Sequence, residues 1–308
     1  NEFPYWSFLF ADLHPHLIGI PLSLFFFGLV LALVRSSGIA WLDNRLYGAA
    51  LLATFSLTLG ALASVNLWEL PTYLGLGLLA LVLAQYWGAG RISLWWTLAI
   101  GALYGLLAWF FFLPFFTNYT NIGASGVGLV KQGDDLGRWL LIWGLPLLVV
   151  VSWLLWSAAR PARPVIRAGK LIRPDGFERG FALAVRQFDR LPRIAYLERL
   201  LKVNGSFGYR LLATLLPLTL VAMVAAWWFE RTVLMVVLPL LTLAFLLLWR
   251  RGRAGDAGTQ VAVLLAVTGL AILAGTQVIY LKDFLSGGDW YRMNTLFKFF
   301  NQVWVLLG

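Results

Sequence analysis

The sequence predicts an all-α, polytopic integral membrane helix bundle with eight full spans and a truncated ninth. Three observations predict it. Of the 308 residues, 60% are hydrophobic and only 12% charged, whereas a soluble domain carries about 25% charged residues. Mean hydropathy is +0.79, and 16 Trp and 22 Phe suit a chain whose solvent is lipid. Apolar runs long enough to cross a bilayer recur from end to end, and each is continuous rather than alternating, which favours helices over barrel strands. This composition excludes a disordered tail, a disulfide-stapled secreted module and a nucleic-acid reader. There is no cysteine, so disulfides, thiolate nucleophiles and Cys-ligated zinc are excluded as well.

The expected spans are Leu17–Val34, Leu46–Val65, Tyr73–Trp87, Leu94–Leu113, Trp139–Ala158, Leu211–Phe229, Thr232–Trp249 and Val261–Leu281. A ninth begins near Phe299. Pro15 suits a first helical turn, where its missing N–H is no loss, and so starts the first span. Pro146, Pro217 and Pro239 fall inside spans, where neighbouring helices repair the freed backbone groups. Tryptophans near span ends, among them Trp68, Trp95, Trp139 and Trp228, read as interfacial anchors.

The net charge of +10 is unevenly placed. If the loops after spans one, three, five and seven face the cytoplasm, they hold 18 of the 24 Lys and Arg. That bias is a positive-inside signature in a cell-membrane protein, and it rests on the basic loop over residues 159–210. In that loop Phe177, Phe181, Val185, Phe188 and Leu191 recur at helical spacing among arginines, as in an amphipathic helix lying on an anionic leaflet. Residues 1–308 then form one transmembrane domain. Segments 1–16, 114–138 and 282–298 face outward.

The unusual polar residues collect on that outer face. They are Asp12, His14 and His16 in NEFPYWSFLFADLHPH, Asn66 and Glu69 in NLWELPTY, the loop from Phe115 to Arg138, and GGDWYRMNTLFKFFNQVW. Ionisable residues at a membrane boundary cost free energy and point to a functional site. Three readings compete for the first segment. Asp12 with a histidine makes a proton-accepting pair; Asp12, His14 and His16 offer an N/O set to a divalent metal ion; or Asp12 caps a helix and the histidines anchor at headgroups. Glu69 either contacts substrate or closes a tight turn with Asn66. In the last segment Asn294, Lys298, Asn301 and Gln302 fall at i, i+4, i+7 and i+8, a polar stripe entering a span. Asp289 and Arg292 stand at its mouth, spaced to pair, and Arg292 with Lys298 forms a clamp for a phosphate. Gly123, Gly126 and Gly128 suggest a flexible lid or a plain linker.

Taken together, EFPYWSFLFADLHPH, NLWELPTY and DWYRMNTLFKFFNQVW resemble the YYY membrane proteins, a multi-pass family of archaea and some bacteria long treated as a domain of unknown function. The resemblance covers nearly the whole chain, with the motifs in order. That family is grouped with the GT-C superfamily of glycosyltransferases, which take sugars from polyprenyl-phosphate carriers outside the membrane. The resemblance implies a GT-C-like fold, a polyprenyl-phosphate-linked sugar as donor, and a lipid, glycan or protein acceptor. It also implies that the chain is the later part of a longer domain, packed on upstream helices that carry the family's acidic pair. On that reading Asp12 is the base, His14 and His16 orient it or bind metal, and Glu69 is a second acid. Arg292 and Lys298 bind the donor phosphate, and Asn294, Asp289, Asn66 and Gln302 line the cavity. The rival expectations are a transporter or flippase and a non-catalytic cell-envelope scaffold.

Overall fold

A computed structural model of the chain describes residue 9 and residues 14–36, 44–120, 125–160, 165–167, 170–172, 207–249, 257–283, 285 and 288–308. The described elements are α1 (Pro15–Arg35), α2 (Arg45–Val65), α3 (Glu69–Ala89), α4 (Leu94–Phe111), α5 (Leu113–Asn118), β1 (Gly126–Leu129), α6 (Leu136–Ala159), β2 (Val165–Arg167), β3 (Lys170–Ile172), α7 (Phe207–Trp228), α8 (Thr232–Leu248), α9 (Ala257–Gly275), β4 (Ile279–Lys282) and α10 (Met293–Leu307). Seven of the helices are long and apolar enough to cross a membrane, and α8 is a shorter apolar helix. Each of the eight expected full spans therefore has its helix, and the polytopic all-α class holds. Contacts divide the chain into two compact units, Asn1–Lys131 with Ala271–Gly308, and Gln132–Leu270.

In the first unit the caps follow from sequence. Pro15 occupies the opening turn of α1 behind His14. Asn44 accepts from the Tyr47 N–H at 3.1 Å to start α2. Gly90, at φ 74°, closes α3 in the left-handed region, which glycine adopts without the Cβ penalty. At this end of the bundle Gln85 braces the α3–α4 turn, donating to Thr97 Oγ1 at 2.9 Å and accepting from Ser93 N at 3.1 Å.

An aromatic cluster fills the middle of this unit. Phe26 of α1 meets Phe55 of α2 and Tyr73 of α3 edge-on at 5.1 and 5.2 Å, the geometry that ring quadrupoles prefer. Tyr104 of α4 packs on Phe55 and donates to the Tyr73 carbonyl at 3.3 Å. Small residues let the helices approach. A Cβ on Gly60 would strike the Phe112 ring and come within 2.9 Å of the Ala108 carbonyl; one on Gly101 would strike Leu78.

In the second unit, α6 starts at Asp135, whose carboxylate accepts from Arg138 N at 2.9 Å. The α7–α8 turn is tight: Glu230 sits at φ 56°, and Arg231 N donates to the Ala226 carbonyl at 2.7 Å. Thr219 and Thr242 share a 2.6 Å hydroxyl bond across the two helices. β2 and β3 form a short hairpin, Val165 opposite Ile172. The amphipathic helix expected over Phe177–Leu191 lies outside the described residues.

Two expectations fail here. The eighth span was expected to reach Leu281, but its helix ends at Gly275 and Ile279–Lys282 is a strand. The run Val278-Ile279-Tyr280-Leu281 is apolar, β-branched and aromatic, and hydropathy alone does not separate such a run from helix. Its partner is Gly126–Leu129, antiparallel, with Gly128 opposite Tyr280. Gly126 and Gly128, read as lid or linker, are thus part of a strand; Gly123 lies outside the described residues. A Cβ at Gly128 would meet the Tyr280 ring at 2.5 Å, so glycine is what seats that ring.

The α2–α4 contact yields a prediction. Gly60→Val should destabilise the protein by ~1–3 kcal/mol through overpacking. Gly105→Ala, where an added Cβ meets nothing within 4 Å, should be neutral or slightly stabilising. Thermal unfolding of both variants in detergent checks the pair.

Candidate functional site: a buried acid beside a polar helix stripe

The site begins in the turn between α2 and α3. Asn66 ends α2 and organises the turn three times. Its carbonyl accepts from Glu69 N at 2.9 Å, its Oδ1 from Trp68 N at 3.4 Å, and its Nδ2 donates to Glu69 Oε1 at 3.2 Å. Glu69 is the first residue of α3 and only 4% exposed, a helix position that suits an acid. Its other oxygen, Oε2, is buried with no hydrogen-bond partner among the described residues. Sequence left turn closure and substrate contact as alternatives for this residue. In the structure one oxygen closes the turn while the second is left open. A buried acceptor without a partner costs about 1–3 kcal/mol, more when charged, so it calls for a reason. One turn below Glu69, Tyr73 is buried, its ring edge-on to Phe26 of α1.

Helix α10 supplies the facing wall. Gln302 is buried and its amide is fully committed to α3: Oε1 accepts from Thr72 Oγ1 at 2.5 Å, and Nε2 donates to the Trp68 carbonyl at 3.0 Å. Lys298, one turn earlier, is half-buried, with its ammonium 5.1 Å from the Trp68 ring centre. Phe297 faces the histidines, meeting His16 edge-on at 4.7 Å and His14 at 6.2 Å, and the two imidazoles stand 5.3 Å apart. His14, His16, Asn66, Glu69, Lys298 and Gln302 are thereby gathered at one end of the first unit.

The remaining candidates are placed differently. Asn294 is half-buried and donates to Asp283 Oδ2 at 2.9 Å. Arg292, 7% exposed, turns inward to the Thr276 carbonyl, a 2.5 Å bond from Nη2 that fastens the start of α10 to the end of α9. Asp289 is exposed. Asn301 folds back onto its own helix, donating to the Phe297 carbonyl at 2.8 Å. Asp12 lies outside the described residues. Among the described residues no three His, Asp or Glu side chains gather at metal-ligand spacing.

Sequence reasoning missed two members. Asp283 holds Asn294 and acts electrostatically on Lys298, and it directly follows the unforeseen strand β4. Thr72 is the only hydroxyl in NLWELPTY besides Tyr73, and its distance of one helical turn from Trp68 was the available signal.

Residues 1–307 match the family described as Uncharacterized membrane protein (DUF2298). The chain belongs to the DUF2298 family. The expected kinship with a multi-pass membrane family of unknown function is borne out at that level. No curated protein and no solved structure matches the chain. DUF2298 membership establishes a membrane protein, and chemistry must be argued from the site.

The site's bonding predicts two opposite stability effects. Gln302→Leu should cost ~1–3 kcal/mol, because the Trp68 carbonyl and Thr72 hydroxyl lose their partner. Glu69→Gln keeps an acceptor for Asn66 and removes a buried acid, so its melting temperature should equal or exceed the parent's. Melting curves in one detergent compare all three proteins; a Glu69→Gln variant that melts well below the parent would show the carboxylate to be structural.

Proposed function

We propose that this DUF2298 protein is a membrane glycosyltransferase that moves a sugar from a polyprenyl-phosphate-type lipid donor to a lipid, glycan or protein acceptor at the extracytoplasmic membrane edge. The single observation that carries the reading is Glu69, a buried carboxylate with one oxygen open, in a cluster that also presents the Lys298 ammonium over Trp68. Transfer from a lipid-borne sugar needs a base for the acceptor hydroxyl and a cation for the departing phosphate. It needs them at the end of a membrane bundle, where the donor's headgroup is presented. The resemblance to a family grouped with the GT-C transferases points to the same chemistry and the same side of the membrane.

In the proposed reaction the acceptor oxygen attacks the anomeric carbon. Its proton passes to Glu69 Oε2, and the carbon–oxygen bond to phosphate breaks with its electron pair. The polyprenyl phosphate leaves against Lys298. Arg292, expected from sequence to share the phosphate, is turned instead to the Thr276 carbonyl and holds the start of α10. Trp68 offers an aromatic face beside the cation, and apolar sugar faces pack on such rings. His14 and His16 pack on Phe297, which neighbours Lys298 on α10. With Asp12 they would supply the ligands for a divalent ion, which would help neutralise the phosphate; no part of the proton transfer at Glu69 requires it.

The test uses membranes containing the full-length protein and a radiolabelled polyprenyl-phosphate sugar. Glu69→Gln is expected to lower donor consumption roughly 10²- to 10⁴-fold, the range for a lost general base. Lys298→Ala should lower kcat as well as raise the KM for donor, because the ammonium meets charge that develops as the phosphate departs. Donor consumption at the parent's rate in Glu69→Gln membranes would overturn the assignment. Donor movement across the bilayer without loss of its sugar would support the flippase reading instead.

A further inference from the structure

The β1–β4 ribbon has two unlike faces. Gly128 and Tyr280 are paired on the inner face. Tyr280 is buried there against Tyr291, ring centres 4.6 Å apart, and the Tyr291 hydroxyl accepts from Lys131 N at 3.0 Å. Leu281 N donates to Thr295 Oγ1 at 2.9 Å, tying the ribbon to α10. The opposite face carries the cross-strand pairs Val127–Leu281 and Leu129–Ile279. Val127 is 58% exposed, Leu129 75% and Ile279 47%. Apolar side chains paired on one exposed face make a contiguous patch, and such patches mark interaction surfaces.

We propose that this face dips into the boundary layer of the bilayer, making the ribbon a shallow membrane wedge beside the site. Chain length puts it at the right depth. α9 ends at Gly275 and β4 begins at Ile279, so the strand starts within about 13 Å of the end of a membrane helix. Backbone pairing sets the limit on how deep it goes. Among the described residues β1 and β4 pair only with each other, so apart from Leu281 N, which Thr295 takes, their outer edges carry backbone groups that hydrocarbon would not satisfy. The edges must stay among headgroups and water while the apolar face points to the acyl chains. Lys282 at one end of the ribbon and Trp290 beyond it, both exposed, are side chains that favour that interface. The wedge is anchored through Thr295 to the helix that bears Lys298 and Gln302, and so borders the cluster from the lipid side. It stands whether or not a sugar is transferred.

The chain contains no cysteine, so single-cysteine spin labelling needs no background removal. Leu129→Cys and Ile279→Cys place labels on the apolar face. Lys282→Cys, opposite Gly126, places one on the other face. The full chain is reconstituted in liposomes, and each label's accessibility is measured to oxygen, which concentrates in lipid, and to a water-soluble nickel chelate. The wedge predicts an oxygen-to-nickel ratio several-fold higher at 129 and 279 than at 282. Nickel accessibility at 129 and 279 equal to that at 282 would show a solvated ribbon and overturn the proposal. Protection of both from both reagents would overturn it too, in favour of a protein partner or a second copy covering the face.

Discussion

Gln302 reaches α3 with both ends of its amide, accepting from Thr72 and donating to the Trp68 carbonyl. In a lipid-facing bundle a carboxamide cannot be left unsatisfied, and here its two partners lie one helical turn apart. That junction fixes the rotation of α10 about its axis. Once α10 is set, Lys298 falls over Trp68 and Phe297 falls against the two histidines. The Asn66–Glu69 turn opposite is held by its own hydrogen bonds. The candidate site is therefore two independently ordered pieces brought together by one amide. A site of this kind is preorganised by backbone and carboxamide groups, leaving the charged groups for a ligand.

The open oxygen of Glu69 is intelligible in those terms. Asn66 satisfies one carboxylate oxygen and could have been joined by a second donor at little cost, since a buried acid is normally fully bonded. Nothing among the described residues serves Oε2. Functional sites are where stability is given up for reactivity. The contrast with Arg292 is informative. Sequence spacing made it a twin of Lys298, yet it is turned to a backbone carbonyl at the end of α9, so its clearest contribution is to hold the ribbon segment and α10 in register.

Much of this was legible in the sequence. Continuous apolar runs located all eight full spans, because hydropathy is a local property and the bilayer demands helices. Pro15 marked the start of α1, and the spacing of Asn294, Lys298 and Gln302 marked a single polar stripe. Turn closure with Asn66 was one of the two readings that the separation of three offered for Glu69, and the other was substrate contact. What escaped was long-range. Nothing local indicates that Gly126–Leu129 pairs with Ile279–Lys282, across some 150 residues, or that Gly128 is a glycine because Tyr280 lies on it. For the same reason Asp283 was overlooked and the eighth span was drawn too long. Periodicity reports which face a residue takes on its own element, and tertiary partners decide the rest.

The central claim is that the end of the bundle formed by Trp68, Glu69 and α10 receives a lipid-linked sugar. The most direct measurement is photocrosslinking in native membranes with a polyprenyl-phosphate sugar carrying a diazirine on the sugar ring, followed by peptide mapping. The account predicts label within residues 66–73 and 293–302, competed away by unmodified donor. Label confined to the helices of the second unit, or label indifferent to competition, would contradict it.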